Sequence, residues 1–221
     1  MIKKEDYEKI VGKRIRYDIL YKYETVVKII KKYKKGKLKV LDVGCGYGIF
    51  CFYADRKWFV YGVDSDEERI SRARKIKLKN CVFIKADAEK LKLKKKFDAI
   101  VALDILEHLK RPEKCLEKIY GMLKDDGIFI VSNPNRHSLW AVLFDNKIIK
   151  LETHRNYWSP EEFGRMAEEF GFRLVEVVPR PLFSEGIGWI LPDYRIIVKL
   201  DDKLGKIFPK LCTGWFLILK K

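Results

Sequence analysis

The sequence predicts an α/β chain built on an open, mostly parallel sheet with helices on both faces, and three observations predict it. An apolar run, Val40-Leu41-Asp42-Val43, breaks into Gly44-Cys45-Gly46-Tyr47-Gly48 and resumes with helical spacing, as a strand does when it feeds a helix through a glycine loop. Later apolar runs recur at the intervals of a repeating strand-helix unit: Trp58 to Asp64, Cys81 to Ala88, and Phe97 to Asp104. Their acids Asp64, Asp87 and Asp104 then stand at the carboxyl ends of successive strands, the edge where open α/β sheets bind ligands.

Taken in order, residues 5 to about 35 carry Ile10, Ile15, Ile19, Leu20, Tyr23, Val26, Val27 and Ile30 at helical spacing, which predicts one or two amphipathic helices. Arg14, Arg16 and Tyr17 lie where this segment can approach a ligand, but ordinary surface charges and a packing tyrosine account for them more simply. A first helix after the glycines is expected over Tyr47 to Asp55, and a second from Asp66 to Ile76, where Asp66-Glu67-Glu68 suits a helix amino end. Pro112 opens a further helix with Cys115, Leu116, Ile119, Met122 and Leu123 inward, and Gly127 releases a fifth strand, Ile128 to Val131. The alternation then pauses from Arg136 to Trp158. A connection that outgrows its topological need is often functional, so this stretch is expected to form a lid beside an acceptor pocket. Ser159 as N-cap, Pro160 at the first helical position and Glu162 two further on predict a firm helix start. Phe172 to Val178 reads as strand six and Thr213 to Leu219 as strand seven. The 183–210 stretch between them is partly helical and is expected to cover the pocket, with resting on a membrane surface as the alternative.

The glycine loop departs from the dinucleotide fingerprint G-x-G-x-x-G because an acid, Asp42, leads it. An acid repels a pyrophosphate but receives an ammonium, so the loop suits a ligand end carrying both charges. Asp64, about twenty residues on, stands where a carboxylate accepts ribose hydroxyls. Each acid alone also suits a helix N-cap, the commoner role for Asp after a strand.

These residues resemble the class I S-adenosylmethionine-dependent methyltransferases. Leu41 to Gly48 looks like their glycine loop, Val63-Asp64 their ribose acid, Ala86-Asp87-Ala88 their adenine-side segment, and Asp104-Ile105-Leu106-Glu107-His108-Leu109 their motif after strand four. The Leu-Glu-His-Leu version, with Leu123 to Gly127 before a strand and His154 to Phe163 later, looks most like the small-molecule branch that includes quinone-biosynthesis O-methyltransferases. The resemblance covers about residues 36 to 178. It implies a Rossmann-like seven-stranded sheet closed by an antiparallel β6-β7 hairpin, with residues 1–35 a helical prelude to a methyltransferase domain over 36–221. It also implies S-adenosyl-L-methionine as cofactor, held by Asp42, Gly44, Cys45, Gly46, Asp64, Ser65, Asp87, Ala88, Leu103 and Asp104. A sulfonium methyl needs alignment plus removal of a proton from the acceptor, so His108 and then His154 are the expected bases. Glu107 with His108 forms a short metal-ligand pair in some quinone-directed relatives, but one pair is thin, and no metal is expected.

Composition narrows the partners. Five cysteines, odd in number and without a C-x-x-C pair, suggest neither a disulfide framework nor zinc and suit a reducing cytoplasm. The charged start and the lack of a long uncharged apolar run predict a protein without a signal peptide or a transmembrane segment. The net charge of +16 invites nucleic acid, yet no RNA-binding module accompanies it, and abundant Lys and Glu with no Gln suit a heat-adapted surface. The expected acceptor is therefore a small molecule with an O, N or C nucleophile. An RNA or protein methyltransferase, and a noncatalytic binding module on the same fold, are the alternatives.

Overall fold

The computed structural model describes residues 4–12, 14–139, 155–183 and 195–221. Two helices, α1 (Lys4–Val11) and α2 (Tyr17–Tyr33), precede β1 (Lys39–Val43), α3 (Ile49–Tyr53), β2 (Phe59–Asp64), α4 (Glu67–Arg74), β3 (Cys81–Lys85) and β4 (Phe97–Ala102). The chain continues through α5 (Pro112–Met122), β5 (Leu123–Pro134), α6 (Pro160–Glu168), β6 (Arg173–Pro179), α7 (Arg195–Ile207) and β7 (Gly214–Lys220). Short 3-10 turns at Ala88–Lys90 and Leu106–His108 follow β3 and β4.

Among the described residues the strands form one seven-stranded sheet in the order β3-β2-β1-β4-β5-β7-β6. The pairs from β3 through β5 are parallel, and β7 lies antiparallel to both β5 and β6. The expected antiparallel β6-β7 pair is present. Its last strand slots between β5 and β6, so β6 forms the edge.

Strand alternation divides the core into two layers. On one face Val40, Val60, Ala99, Val101, Ile128 and Ile130 meet α1 to α4 through Tyr7, Leu20, Val26, Ile30, Phe50 and Ile70. On the other, Leu41, Val63, Ile100, Phe129, Val131 and Leu217 meet α5 and α6 through Leu116, Ile119, Phe163 and Ala167. Asp42 shares Val40's side, which turns its carboxylate toward the layer containing α1 to α4.

Two elements differ from the sequence reading. The helix after the glycines is limited to Ile49–Tyr53, because Gly48 sits in the left-handed region at φ 76° and delays its start. β5 begins at Leu123, which pairs with Phe97 before an irregularity carries the register to Ala99 and Ile128. It also runs on to Pro134, because Trp215 and Gly214 of β7 pair with Asn133 and Pro134. The helix start at Ser159 is the predicted one: its side chain accepts from the Glu162 N–H, and Glu162 accepts from the Ser159 N–H.

Three lysines of the run that ends α2 and continues past it pair with acids. Lys31 pairs with Asp55, Lys32 with Glu176 and Lys34 with Asp126. Among the described residues no helix is long and apolar enough to cross a membrane.

Candidate cofactor and acceptor site

The glycine loop is fastened to the end of β2. The N–H groups of Gly44 and Cys45 both donate to the Val63 carbonyl, at 2.8 and 2.9 Å, and the Gly46 N–H donates to Asp64 Oδ2 at 2.8 Å. Asp64 Oδ1 accepts from the Asp66 N–H at 2.9 Å. A side chain at Gly44 has no room: φ is +77°, and a Cβ there would lie 2.4 Å from Ile105 Cδ1. From the amino-terminal side, the Tyr7 hydroxyl donates to the Tyr47 carbonyl at 2.9 Å, so α1 braces the loop's far end.

Asp42 is the unsatisfied group of this region. It is 3 % exposed, and its Oδ2 is buried without a hydrogen-bond partner. Burial, and then the nearby Asp64 charge, push its carboxyl up to about 8, with Lys22 pulling the other way. An acid held at that value takes up a cation readily, since a positive partner supplies what solvent no longer does.

Asp104 has a different environment. It stands just past β4 with φ 52°, in the left-handed region uncommon for non-glycine residues. Its Oδ1 accepts from Arg180 Nη1 at 2.7 Å and from the Ser132 hydroxyl at 2.6 Å, while Oδ2 accepts from Lys22 Nζ at 2.6 Å. Burial works against its charge, but the Arg180 guanidinium and the Lys22 ammonium hold the carboxyl well below the usual range. Asp18, Ile19, Lys22, Asp104 and Arg180 together line a recess of about 160 Å³.

Asp87 caps the 3-10 turn after β3 by accepting from the Glu89 N–H at 2.9 Å, which is the plain capping role. It also lines an open cleft of about 380 Å³ with Glu89, Lys90, His108, Lys110, Arg111 and Arg155. His108 is exposed and belongs to that cleft, on Asp87's side of the Leu106–His108 turn. Ser65 is exposed beside Asp64, while Cys45, Ala88 and Leu103 are buried at the strand ends.

The turn that exposes His108 buries Glu107. This side chain is 1 % exposed, its Oε2 lacks a hydrogen-bond partner, and burial followed by the Asp104 charge raises its carboxyl to about 7. Its backbone carbonyl accepts from the Arg155 and Asn156 N–H groups, tying it to the segment that leads to Tyr157 and Trp158. That segment borders a cavity of about 270 Å³ lined by Pro134, Arg136, His137, Tyr157, Trp158 and Trp215 among others. Trp158 also packs edge-on against Phe163 at 5.7 Å, and its carbonyl accepts from the Asn133 amide. Trp158 thus both anchors α6 and walls a cavity.

Glu107, Lys22 and Arg180 are the groups that sequence reasoning missed as members of the site. Glu107 carried a signal as the acid of the post-strand-four motif, whereas Lys22 and Arg180 sit among many similar charges. His154, with Trp140 and Phe144 of the expected lid, lies outside the described residues, as does 184–194 of the later insertion. Arg16 and Tyr17 bond to Asp18 and Glu24. Among the described residues no group of three His, Cys, Asp or Glu side chains is placed to hold a metal ion.

The methyltransferase-domain family profile matches residues 14–177, from α2 through β6. The chain belongs to the class I S-adenosylmethionine-dependent methyltransferases. This methyltransferase is 29% identical over 154 residues to the ubiquinone biosynthesis O-methyltransferase of Pseudomonas fluorescens, a match covering 63% of the chain and 66% of that relative. The match thus spans just under two thirds of the relative's length. Among solved structures, the magnesium protoporphyrin IX methyltransferase of Synechocystis, crystallised with S-adenosylhomocysteine, superposes with a TM-score of 0.64 at 14% identity. That superposition covers 93% of this chain and 84% of the other. The YcgJ protein of Bacillus subtilis gives 0.64 at 19% identity, covering 90% and 99%. These likenesses show that the methyltransferase shares their fold.

Proposed function

We propose that this protein transfers a methyl group from S-adenosyl-L-methionine to a nucleophilic atom of a small molecule. The observation that carries the reading is the buried, unpartnered Oδ2 of Asp42 beside a glycine loop that Asp64 holds open. An ammonium such as that of the cofactor's amino-acid end fits this acid, which a pyrophosphate would not. When bound, the cofactor supplies an already activated sulfonium methyl.

The chain's own residues then supply orientation and proton handling. Asp42 receives the ammonium, and Asp64 accepts from the ribose hydroxyls with the lone pairs its two backbone bonds leave. Gly44, Cys45 and Gly46 bring backbone close to the ligand, Ser65 and Asp104 flank it, and Asp87, Ala88 and Leu103 border its adenine side. The acceptor occupies the cavity walled by Tyr157, Trp158 and Trp215, whose lining also carries Asn135, Arg136, His137 and Glu162 and so suits a small molecule with a flat ring and polar substituents. The O-methyltransferase named among the relatives favours an oxygen nucleophile.

For the proton we propose Glu107 ahead of His108 and His154. Its carboxyl is buried near Asp104 and raised to about 7, and its backbone carbonyl holds the segment that leads to the cavity, while His108 opens to the Asp87 cleft. The test is turnover against a panel of phenols, small carboxylates and amines, with methyl transfer followed by mass. Methylated product lost in the Asp64→Ala variant supports the reading, and transfer only to tRNA or to protein replaces it.

A further inference from the structure

Helix α7 is amphipathic the wrong way round for a surface helix. Its inward face carries Val198, Asp201, Asp202 and Gly205, all buried, whereas Ile196, Leu200, Leu204 and Ile207 face outward at 67, 55, 40 and 65% exposure, continued by Phe208 at 49%. A surface helix normally buries its apolar stripe and exposes its charges. Here the acids are hidden and the leucines and isoleucines are left out.

The helix cannot roll to correct this. Asp201 accepts from the Leu182 and Phe183 N–H groups at 3.2 and 3.0 Å, and Asp202 pairs with Lys206 at 2.6 Å and hydrogen-bonds the Tyr21 side chain. Gly205 lies so close to the segment after β6 that a Cβ would come within 2.2 Å of the Arg180 carbonyl. Rotation would break these bonds and drive side chains into that backbone. The stripe is therefore presented by construction.

Its charge pattern says what it meets. With both acids turned inward, the exposed surface around the stripe carries Lys199, Lys203, Lys206 and Lys210, on a chain of net charge +16. We propose that α7 docks on an anionic lipid surface, its apolar stripe entering the boundary between headgroups and acyl chains while the lysines meet lipid phosphates. Apolar residues along one face with flanking lysines are the features by which an interfacial helix binds anionic bilayers. A second copy packed on the same stripe would set lysines against lysines, and an RNA backbone would give the apolar residues nothing to enter. This inference is independent of the methyl-transfer reading.

The test is flotation of the full chain with phosphatidylcholine vesicles, with and without phosphatidylglycerol. Leu200→Asn/Leu204→Asn alters exposed positions outside the proposed site, and its fold is checked by thermal melting. The protein should float at least tenfold better with phosphatidylglycerol present; the leucine variant should lose about tenfold of that partitioning, and Lys199→Glu/Lys203→Glu should lose the anionic preference. Wild-type protein that stays unbound, or a leucine variant that floats as well as wild type, overturns the proposal. A dimer in light scattering that the leucine variant dissolves assigns the stripe to a second copy and likewise overturns it. So does tight binding to duplex RNA, unchanged in the leucine variant, that competes with the vesicles.

Discussion

Arg180 donates to Asp104 Oδ1 at 2.7 Å, joining the residue that follows β6 to the residue that turns the chain out of β4. Lys22 reaches the same carboxylate from α2, so one acid gathers three parts of the chain at the ligand edge of the sheet. Removing Arg180 leaves a half-buried carboxylate with one cation. Arg180→Ala should lower stability by about 1–3 kcal/mol in chemical denaturation at neutral pH. The sign with pH follows from the depressed carboxyl: its stabilisation is present above the usual carboxylate range and is lost as pH falls through the folded value. The variant should therefore lose less stability than wild type on acidification. Parallel acid limbs would remove this ion pair from the account.

Asp42 works in the opposite direction. With its carboxyl raised from 3.8 to about 8, the folded state holds a proton that the unfolded state has released, so this group costs stability progressively as pH rises from about 4 to about 8. Asp42→Asn should be the more stable protein at pH 8 and show a flatter profile across that window. Melting temperatures for both proteins at several pH values decide it, and identical profiles would place the Asp42 proton elsewhere.

Glu107 and His108 are neighbours with different surroundings, which separates their roles experimentally. Glu107→Gln should reduce kcat by about 10²-fold, with S-adenosylhomocysteine affinity changed little, and should abolish an ionisation of the rate near pH 7. His108→Ala should act more weakly on kcat. The reverse ranking would return the proton-accepting role to the histidine.

The capping box at Ser159 and Glu162 holds the amino end of α6 against the sheet. Ser159→Ala should destabilise the protein by about 1 kcal/mol in urea unfolding, because it strips the Glu162 N–H of its acceptor. No measurable change would mean that Trp158 and Phe163 alone fix this helix.

Much of this is legible in the sequence. Strand alternation and the glycine loop specified the sheet edge, and the acids at 64, 87 and 104 marked it, because residues at strand ends follow from local pattern. What did not show were contacts between distant segments. Nothing in the spacing of Lys22 and Arg180 distinguishes them from the other basic residues, and their convergence on Asp104 depends on how α2 and the end of β6 pack. The Glu107-His108 turn is similar: a 3-10 turn puts one side chain inward and the other out, and the sequence alone does not say which. The exposed stripe of α7 was hidden for the same reason, since periodicity reports an amphipathic helix but not which face the core takes.

The most direct test of the cofactor site is calorimetric titration of ligand-free protein with S-adenosylhomocysteine at pH 7, repeated in two buffers of different ionisation enthalpy. The account predicts one-to-one binding, weakened at least tenfold by Asp64→Ala, with protons released as the ammonium meets Asp42. Binding that releases no protons would contradict the role of Asp42. No binding by folded protein would contradict the cofactor site itself.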